Sequence, residues 1–177
     1  MRNKLLLAVP AILLATAAPA FAGKYDNYVS LRLGYVNGSA GEVSALNGIG
    51  ASFAFGQNYR SQKWLVFRSE LELGYFAQKH GDVTLRPMSA LINFYADFGT
   101  RTWPLRPYVG AGFGGAYINS NYSSGSSAGI AWNAQLGATI SLSDDVGIDA
   151  AIRYDAISAL DYTLTNFSVR AGARWNF

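Results

Sequence analysis

The sequence has no cysteine, and this absence bounds how the protein is stabilised. Without thiols there is neither a disulfide framework nor a thiolate metal site. Stability must therefore come from hydrogen bonding and burial. The absence is also compatible with an exported protein.

Long apolar runs are missing too. After residue 22 no stretch approaches the ~18 uninterrupted apolar residues of a spanning helix, which excludes a helical membrane protein. The charge balance gives no case for nucleic acid binding, because removing Arg2 and Lys4 from the fourteen cations leaves twelve against eleven acidic residues. Yet half of the residues are hydrophobic, and aromatic residues are plentiful.

The N-terminus has the pattern of a secretory signal peptide. Two basic residues precede an apolar run over residues 5–14, and Ala20 and Ala22 occupy the two positions that a signal peptidase reads. The alternative is a retained membrane anchor, but the run has about half of the ~20 apolar residues that a spanning helix needs, and a proline interrupts it. We therefore predict cleavage after Ala22, with residues 1–22 as the signal peptide and residues 23–177 as one domain.

From residue 23 onward, hydrophobicity alternates with period two between clusters of Gly, Ser, Asn and Asp, and no window has helical periodicity. Eight strands are expected, over residues 28–36, 48–56, 64–76, 87–98, 107–118, 129–142, 146–155 and 165–177. Such lengths match the ~9–11 residues that cross a bilayer at a tilt, and the count is even. The predicted fold class is all-β, an eight-stranded antiparallel up-and-down transmembrane β-barrel.

The last predicted strand alternates most cleanly. Its apolar side holds Thr165, Phe167, Val169, Ala171, Ala173, Trp175 and Phe177. A barrel needs its last strand to pair with its first, which abolishes both edges. This terminus resembles that of bacterial outer-membrane β-barrels, where a final Phe on an alternating strand is the address read by the barrel assembly machinery. Trp175 and Phe177 are therefore the expected assembly signal; the alternative is an ordinary strand of a soluble sheet.

An even number of strands puts both termini on the periplasmic side. The external loops are then expected at residues 37–46, 77–83, 119–128 and 156–162. Aromatic residues cluster near the two ends of the strands, as interfacial girdles would. The predicted girdles are Tyr35, Tyr75, Tyr117, Trp132 and Tyr154 at the external end, with Trp64, Trp175 and Phe177 at the other.

Three stretches resemble a known family. They are Arg68-Ser-Glu-Leu-Glu-Leu-Gly-Tyr75, Asn93-Phe-Tyr-Ala-Asp-Phe98 and the glycine-rich run at 107–115. Together they are similar to the opacity-protein-like surface antigens and porin-family eight-stranded barrels of bacteria. The resemblance implies an outer-membrane protein whose variable loops contact host molecules, although the loops here are short for an adhesin.

The inward faces of the predicted strands carry ten charged residues. These are Arg32, Arg68, Glu70, Glu72, Asp97, Asp149, Arg153, Asp155, Arg170 and Arg174, five of each sign. Because an eight-stranded barrel is just wide enough to be filled by side chains, we expect a charge-neutral, hydrogen-bonded plug together with inward Leu91 and Tyr95. The alternative is a polar channel lining. Matching strand ends places Asp149 opposite Arg174 and Arg153 opposite Arg170.

Two further motifs point to chemistry but have simpler explanations. The run from Gly110 to Gly115 matches the dinucleotide fingerprint G-x-G-x-x-G, but no helix follows it to bind a pyrophosphate. Alternate glycines on the crowded inner face of a narrow barrel explain the match better. His80 is the single histidine, and we expect it to be a solvated loop residue. The alternative is a catalytic role with a Ser or an acid, as in lipid A-modifying barrels.

The sequence therefore predicts a non-enzymatic bacterial outer-membrane barrel with a plugged interior and a structural or surface-interaction role. A lipid A-modifying enzyme, a small diffusion channel and a soluble lipocalin-like barrel are the alternatives. We expect no cofactor and no bound metal. The expected partners are outer-membrane lipid and lipopolysaccharide, the barrel assembly machinery and host surface molecules, with the protein itself a monomer.

Overall fold

The computed structural model describes residues 27–41, 43–62, 64–99, 103–121, 126–159 and 163–177. Its eight strands are β1 (Asn27–Ala40), β2 (Val43–Gln62), β3 (Leu65–His80), β4 (Val83–Phe98), β5 (Leu105–Ser120), β6 (Ser127–Ser141), β7 (Val146–Ala159) and β8 (Thr163–Asn176). Within the described residues, no helix is long and apolar enough to cross a membrane. The predicted signal peptide and its cleavage site at Ala20 and Ala22 lie outside these residues and stay predictions.

Each strand is antiparallel to its chain neighbours, and β8 returns to β1, which closes the barrel. The β1–β8 ladder runs from Tyr28 opposite Asn176 to Ala40 opposite Leu164. One further bond continues it, since the N–H of Phe177 donates to the carbonyl oxygen of Asn27 at 2.9 Å. No strand edge is left unpaired, and the predicted fold class is confirmed.

We name the two ends of the barrel by their connections. The hairpin end carries the connections from β1 to β2, from β3 to β4, from β5 to β6 and from β7 to β8. The terminal end holds both ends of the barrel chain and the three remaining connections. On the orientation predicted from the sequence, the terminal end faces the periplasm.

Side chains alternate between the two faces of the wall along every strand, because a strand has period two. The outer face is apolar: Leu33 is 62% exposed and Ile130 72%. The inner face carries charge instead, and Arg68 is 1% exposed. A soluble lipocalin-like barrel would place its apolar face inside, so this alternative is wrong.

The residues expected to form aromatic girdles all lie on the outer face. Each is at least two fifths exposed: Tyr35, Trp64, Tyr75, Tyr117, Trp132, Tyr154, Trp175 and Phe177. The terminal residue also has a ring neighbour, since the centroids of Phe177 and Phe55 are 6.3 Å apart.

The strands are longer at the hairpin end than the sequence predicted, so the described parts of the four expected external loops are mostly strand. The predicted loop 37–46 shows why. Asn37 pairs with Asn47 and Gly38 with Leu46, and the side chains of Tyr35 and Asn37 both donate to Asn47 Oδ1 at 2.7 Å. Asn and Gly, which favour turns in a sequence, are held here by cross-strand bonds.

The predicted start of the fourth strand at Pro87 is also wrong, since β4 begins at Val83 and contains this proline. The β3–β4 ladder pairs Tyr75 with Met88 and Gln78 with Leu85 but skips the positions between them. A proline has no N–H to donate, so the pairing is interrupted locally while the register is kept.

An apolar layer fills the interior of the barrel at the hairpin end. It consists of Ala40, Leu46, Leu85, Leu91, Ala116, Ile118, Ala131, Ile157 and Leu164. The large members are buried, with Leu46, Ile118 and Leu164 at 0% exposure. Several of these positions were predicted to lie in loops. Because the strands are longer than predicted, these residues lie on strands and face the interior.

Candidate functional site

The polar interior below the apolar layer contains all ten charged residues singled out from the sequence. Their side chains point inward from five strands, and each residue is no more than 4% exposed. Nine ion pairs connect the ten into a single group, which we call the interior network. Buried charges require such partners, because an unpaired one is expensive to desolvate.

Glu70 of β3 is one centre of the network. Its Oε1 accepts hydrogen bonds from Tyr28 at 2.7 Å, from Arg32 Nη2 at 2.6 Å and from Arg68 Nη1 at 2.9 Å. Its Oε2 accepts from Arg32 Nη1 at 3.0 Å and from the Tyr95 hydroxyl at 2.8 Å. Both oxygens are therefore fully used by the barrel itself.

Glu72, two residues further along β3, is the second centre. Its Oε1 accepts from Arg153 at 2.7 Å and from Arg170 at 3.3 Å. Arg153 continues the chain of charges to Asp155 at 2.7 Å, and Arg170 also donates to the Ser52 hydroxyl. These contacts join β2, β3, β7 and β8 across the interior.

Arg32 links these two centres to a third carboxylate. Its guanidinium lies 3.6 Å from Glu72 and 3.3 Å from Asp149. Asp149 is held in turn by Thr139, whose hydroxyl donates at 2.6 Å, and by Arg174 at 3.2 Å. Glu70 and Glu72 of β3 are thus structural groups: both are ion-paired with arginines, and neither has a carboxylate oxygen free to act on a ligand.

The guessed pairing between the last two strands is wrong by two residues. Asp149 lies opposite Gly172, and Arg153 lies opposite Ser168. The end of β8 reaches further than assumed, because the N–H of Asn176 donates to the carbonyl oxygen of Asp145 at 2.7 Å. A register shift of two residues between the strands keeps every side chain on the same face of the wall, which is why Arg174 still reaches Asp149.

Inward aromatic rings, which the sequence analysis mostly missed, pack over glycines on the neighbouring strand. Four pairs lie directly opposite each other in the ladders: Tyr28 with Gly56, Phe76 with Gly50, Tyr95 with Gly110 and Tyr108 with Gly137. In each pair, a Cβ on the glycine would overlap the ring. The glycine-rich run in β5 is therefore a packing surface, and Gly110 receives the ring of Tyr95.

These rings also contact the interior network. The Arg68 guanidinium lies 3.8 Å from the ring centroid of Tyr95 and 4.5 Å from that of Tyr108. Arg174 lies 4.6 Å from the ring centroid of Tyr28. Cations stacked on aromatic faces gain attraction without a further carboxylate.

The interior is not charge-neutral, contrary to the sequence analysis. The predicted fifth strand begins at residue 107 and leaves Arg106 in the turn before it. In the structure β5 begins at Leu105 and directs Arg106 inward, where it is 9% exposed. The buried charges of the described residues are thus six arginines and five carboxylates, 6 − 5 = one positive charge in excess. Arg106 forms no ion pair with any described carboxylate.

His80 lies at the hairpin end, apart from the interior network. Its Nδ1 is 3.3 Å from the carbonyl oxygen of Ala45, and its side chain is exposed. The structure brings no serine or acid side chain into hydrogen-bond contact with it among the described residues. Among all the residues that the structure describes, no group of three or more His, Asp or Glu side chains is arranged to hold a metal ion.

This architecture defines the class of the protein as an eight-stranded outer-membrane barrel. The chain belongs to the family described as outer membrane protein beta-barrel domain, whose model matches residues 7–177. The resemblance to opacity-protein-like and porin-family barrels is confirmed, and so is the predicted location in the bacterial outer membrane. The apolar outer face accordingly lies in outer-membrane lipid.

Solved structures share this fold. Neisserial surface protein A (NspA) is 20% identical, with a TM-score of 0.72, and the match covers 88% of this chain and all of that one. The outer membrane enzyme PagL is 14% identical over 80% of this chain and 97% of its own, with a TM-score of 0.54. Ail of Yersinia pestis is 15% identical over 86% of this chain and all of its own, at 0.48. At these identities the likeness is one of fold alone.

The comparison with curated proteins gives no significant match. Trp175 and Phe177, the expected assembly signal, are exposed on the outer face at the terminal end. Their role in assembly stays a prediction.

Proposed function

We propose that the protein is a closed, non-enzymatic outer-membrane barrel with a structural or surface-interaction role. The observation that carries this proposal is the filling of the interior. Ten ion-paired residues occupy its polar part, and the apolar layer lies above them at the hairpin end. Ions that cross the barrel would have to displace paired charges and then enter an apolar layer.

Conductance in planar bilayers tests the closed interior. We expect no sustained current from the purified protein. Arg170→Ala leaves Glu72 with fewer partners and should lower stability or produce flickering openings, because it removes bulk and charge from the network. Arg86→Ala, which removes an exposed arginine of β4, is the matched control and should stay silent. Large, steady single-channel steps from the unmodified protein would make a small diffusion channel the better account.

Lipid A chemistry tests the non-enzymatic part of the proposal. His80 is the residue on which an enzymatic reading depends, and its side-chain partner is the backbone carbonyl of Ala45. We expect mass spectrometry of lipid A to give the same species with and without the protein. A change in acylation that needs the protein and is lost in His80→Ala would overturn this part and establish a lipid-modifying enzyme.

The hairpin end is the surface that we propose for contact with host molecules. The described strand ends form an exposed rim there, including Lys79 and His80. Adherence of bacteria with and without the protein to cultured host cells tests this role. Adherence that falls in a Lys79→Glu variant supports surface interaction, whereas equal adherence of all strains leaves the structural role.

A further inference from the structure

We propose that the terminal end of the barrel holds a binding pocket for a phosphate group. A cavity of about 460 Å³ opens there. Its lining includes Arg106, Arg174, Ser141, Ser143 and Asp144. On the predicted orientation the pocket faces the periplasm, so its ligand would come from the periplasmic solution or from the inner leaflet of the outer membrane.

Arg106 carries the inference, because it is a buried cation that forms no ion pair with any carboxylate of the described residues. It is 9% exposed, and its Nε has no hydrogen-bond partner. The two buried carboxylates whose charges reach it, Asp97 and Asp149, are already bonded to other arginines. A buried charge needs a partner, and the cavity that Arg106 lines is where an anion can supply one.

Arg174 provides a second cationic group in the same cavity. Its Nη2 donates to Thr139 and Asp149, but its Nε is buried without a partner. Two arginines therefore line one space, and the buried Nε of each has no hydrogen-bond partner among the described residues. Guanidinium forks match the oxygens of a phosphate, which can accept from several donors at once.

Hydroxyl groups complete the donor set. Ser143 Oγ accepts the N–H groups of Asp145 and Val146, so its own hydrogen remains available to a ligand. Ser141 lines the same cavity. Asp144 is the one acidic residue of the lining, and it is exposed at the rim. Arg174 is already paired with Asp149, and Asp144 is exposed to solvent. The buried charge of the described residues that is left without an ion pair at this cavity is therefore the positive charge of Arg106, which a phosphate can neutralise.

Phosphate titration of the full chain in phosphate-free detergent tests the proposal. We expect binding by calorimetry and a higher urea midpoint in phosphate than in chloride at equal ionic strength. Arg106→Gln should weaken binding about tenfold or more, since it removes a charge-assisted contact. Arg86→Gln, an exposed arginine on the outer face, is the matched control and should bind as the unmodified protein does.

Two comparisons separate the sources of the phosphate. Glycerol phosphate tests a soluble ligand, and phosphatidylcholine vesicles with or without phosphatidic acid test a lipid headgroup. Response to the first alone indicates a soluble ligand, and response only to the anionic vesicles indicates a headgroup. Either outcome supports the site when Arg106→Gln abolishes it.

Stability without ligand gives an independent readout. If Arg106 lacks a counterion, Arg106→Gln should unfold at the same or a higher urea concentration than the unmodified protein in phosphate-free buffer. A lower midpoint would mean that Arg106 is paired within the barrel, with Asp97 as the candidate, and would overturn the proposal. Equal responses to phosphate and chloride, or unchanged phosphate binding by Arg106→Gln, would also overturn it.

Discussion

Replacing Glu70 by glutamine removes the charge at one centre of the interior network while keeping the shape of the side chain. Glutamine also exchanges one acceptor oxygen for an amide that can only donate. Both oxygens of Glu70 accept from donors, including two arginines and two tyrosine hydroxyls. The variant would therefore place a donor against donors and leave positive charge uncompensated in the interior.

The size of the effect follows from the partners that remain. Removing one member of a buried ion pair costs about 3–5 kcal/mol. Arg32 keeps Asp149 at 3.3 Å, and Arg68 keeps Asp97 at 2.8 Å. Because both arginines retain a carboxylate, we expect a loss of about 3 kcal/mol in the free energy of unfolding. With a urea dependence of about 1–3 kcal/mol/M, the midpoint should fall by roughly 1–3 M.

Urea unfolding of the refolded barrel in lipid vesicles, followed by tryptophan fluorescence, measures this loss. Asp82→Asn makes the same chemical change at an exposed position of the hairpin end and should stay within about 0.5 kcal/mol of the unmodified protein. Tyr28→Phe removes the hydrogen bond donated to Glu70 and the one accepted from Arg68 Nη1, and it should cost about 1–2 kcal/mol. If Glu70→Gln is as stable as Asp82→Asn, the reasoning about the network is refuted.

Three further changes test other parts of the fold. Ala45 has φ 57°, which favours glycine, so Ala45→Gly should raise the free energy of unfolding by roughly 1 kcal/mol; a lower urea midpoint would contradict this. Gly56→Ala would collide with the ring of Tyr28 and should cost about 1–3 kcal/mol. Gly115→Ala should not, because the nearest atom to its Cβ would be the carbonyl oxygen of Gly129 at 4.0 Å; equal midpoints would contradict the packing. Deleting Phe177 should reduce the amount of protein in the outer membrane, and unchanged levels in fractionated cells would count against its role as an assembly signal.

The faces of the strands could be predicted from the sequence because alternation is a local property. Every charged residue assigned to the inside is buried there, from Arg32 in β1 to Arg174 in β8. The residues that were missed lie where turn-forming neighbours hide the alternation. Tyr108 lies within the predicted strand 107–118 and has the same parity as the inward Gly110. Continuing that alternation back past Pro107 would also have found Arg106.

Register could not be predicted in this way. A shift of two residues leaves every side chain on its face, so the hydrophobic pattern cannot distinguish Asp149 opposite Gly172 from Asp149 opposite Arg174. The pairing of inward rings with glycines depends on the same information. Tyr28 and Gly56 are 28 positions apart in the sequence, and neither residue alone indicates the other.

The apolar layer gives the barrel interior a single open side. An outer membrane separates an external solution, whose salt and acidity change with the surroundings, from the periplasm. Water and ions that enter from the hairpin end meet Leu46, Ile118 and Leu164 before any charged group of the interior network. From the terminal end they meet a cavity bordered by Arg106 and Arg174. On the orientation predicted from the sequence, the electrostatic state of the interior is thereby coupled to the periplasm and insulated from the environment of the cell.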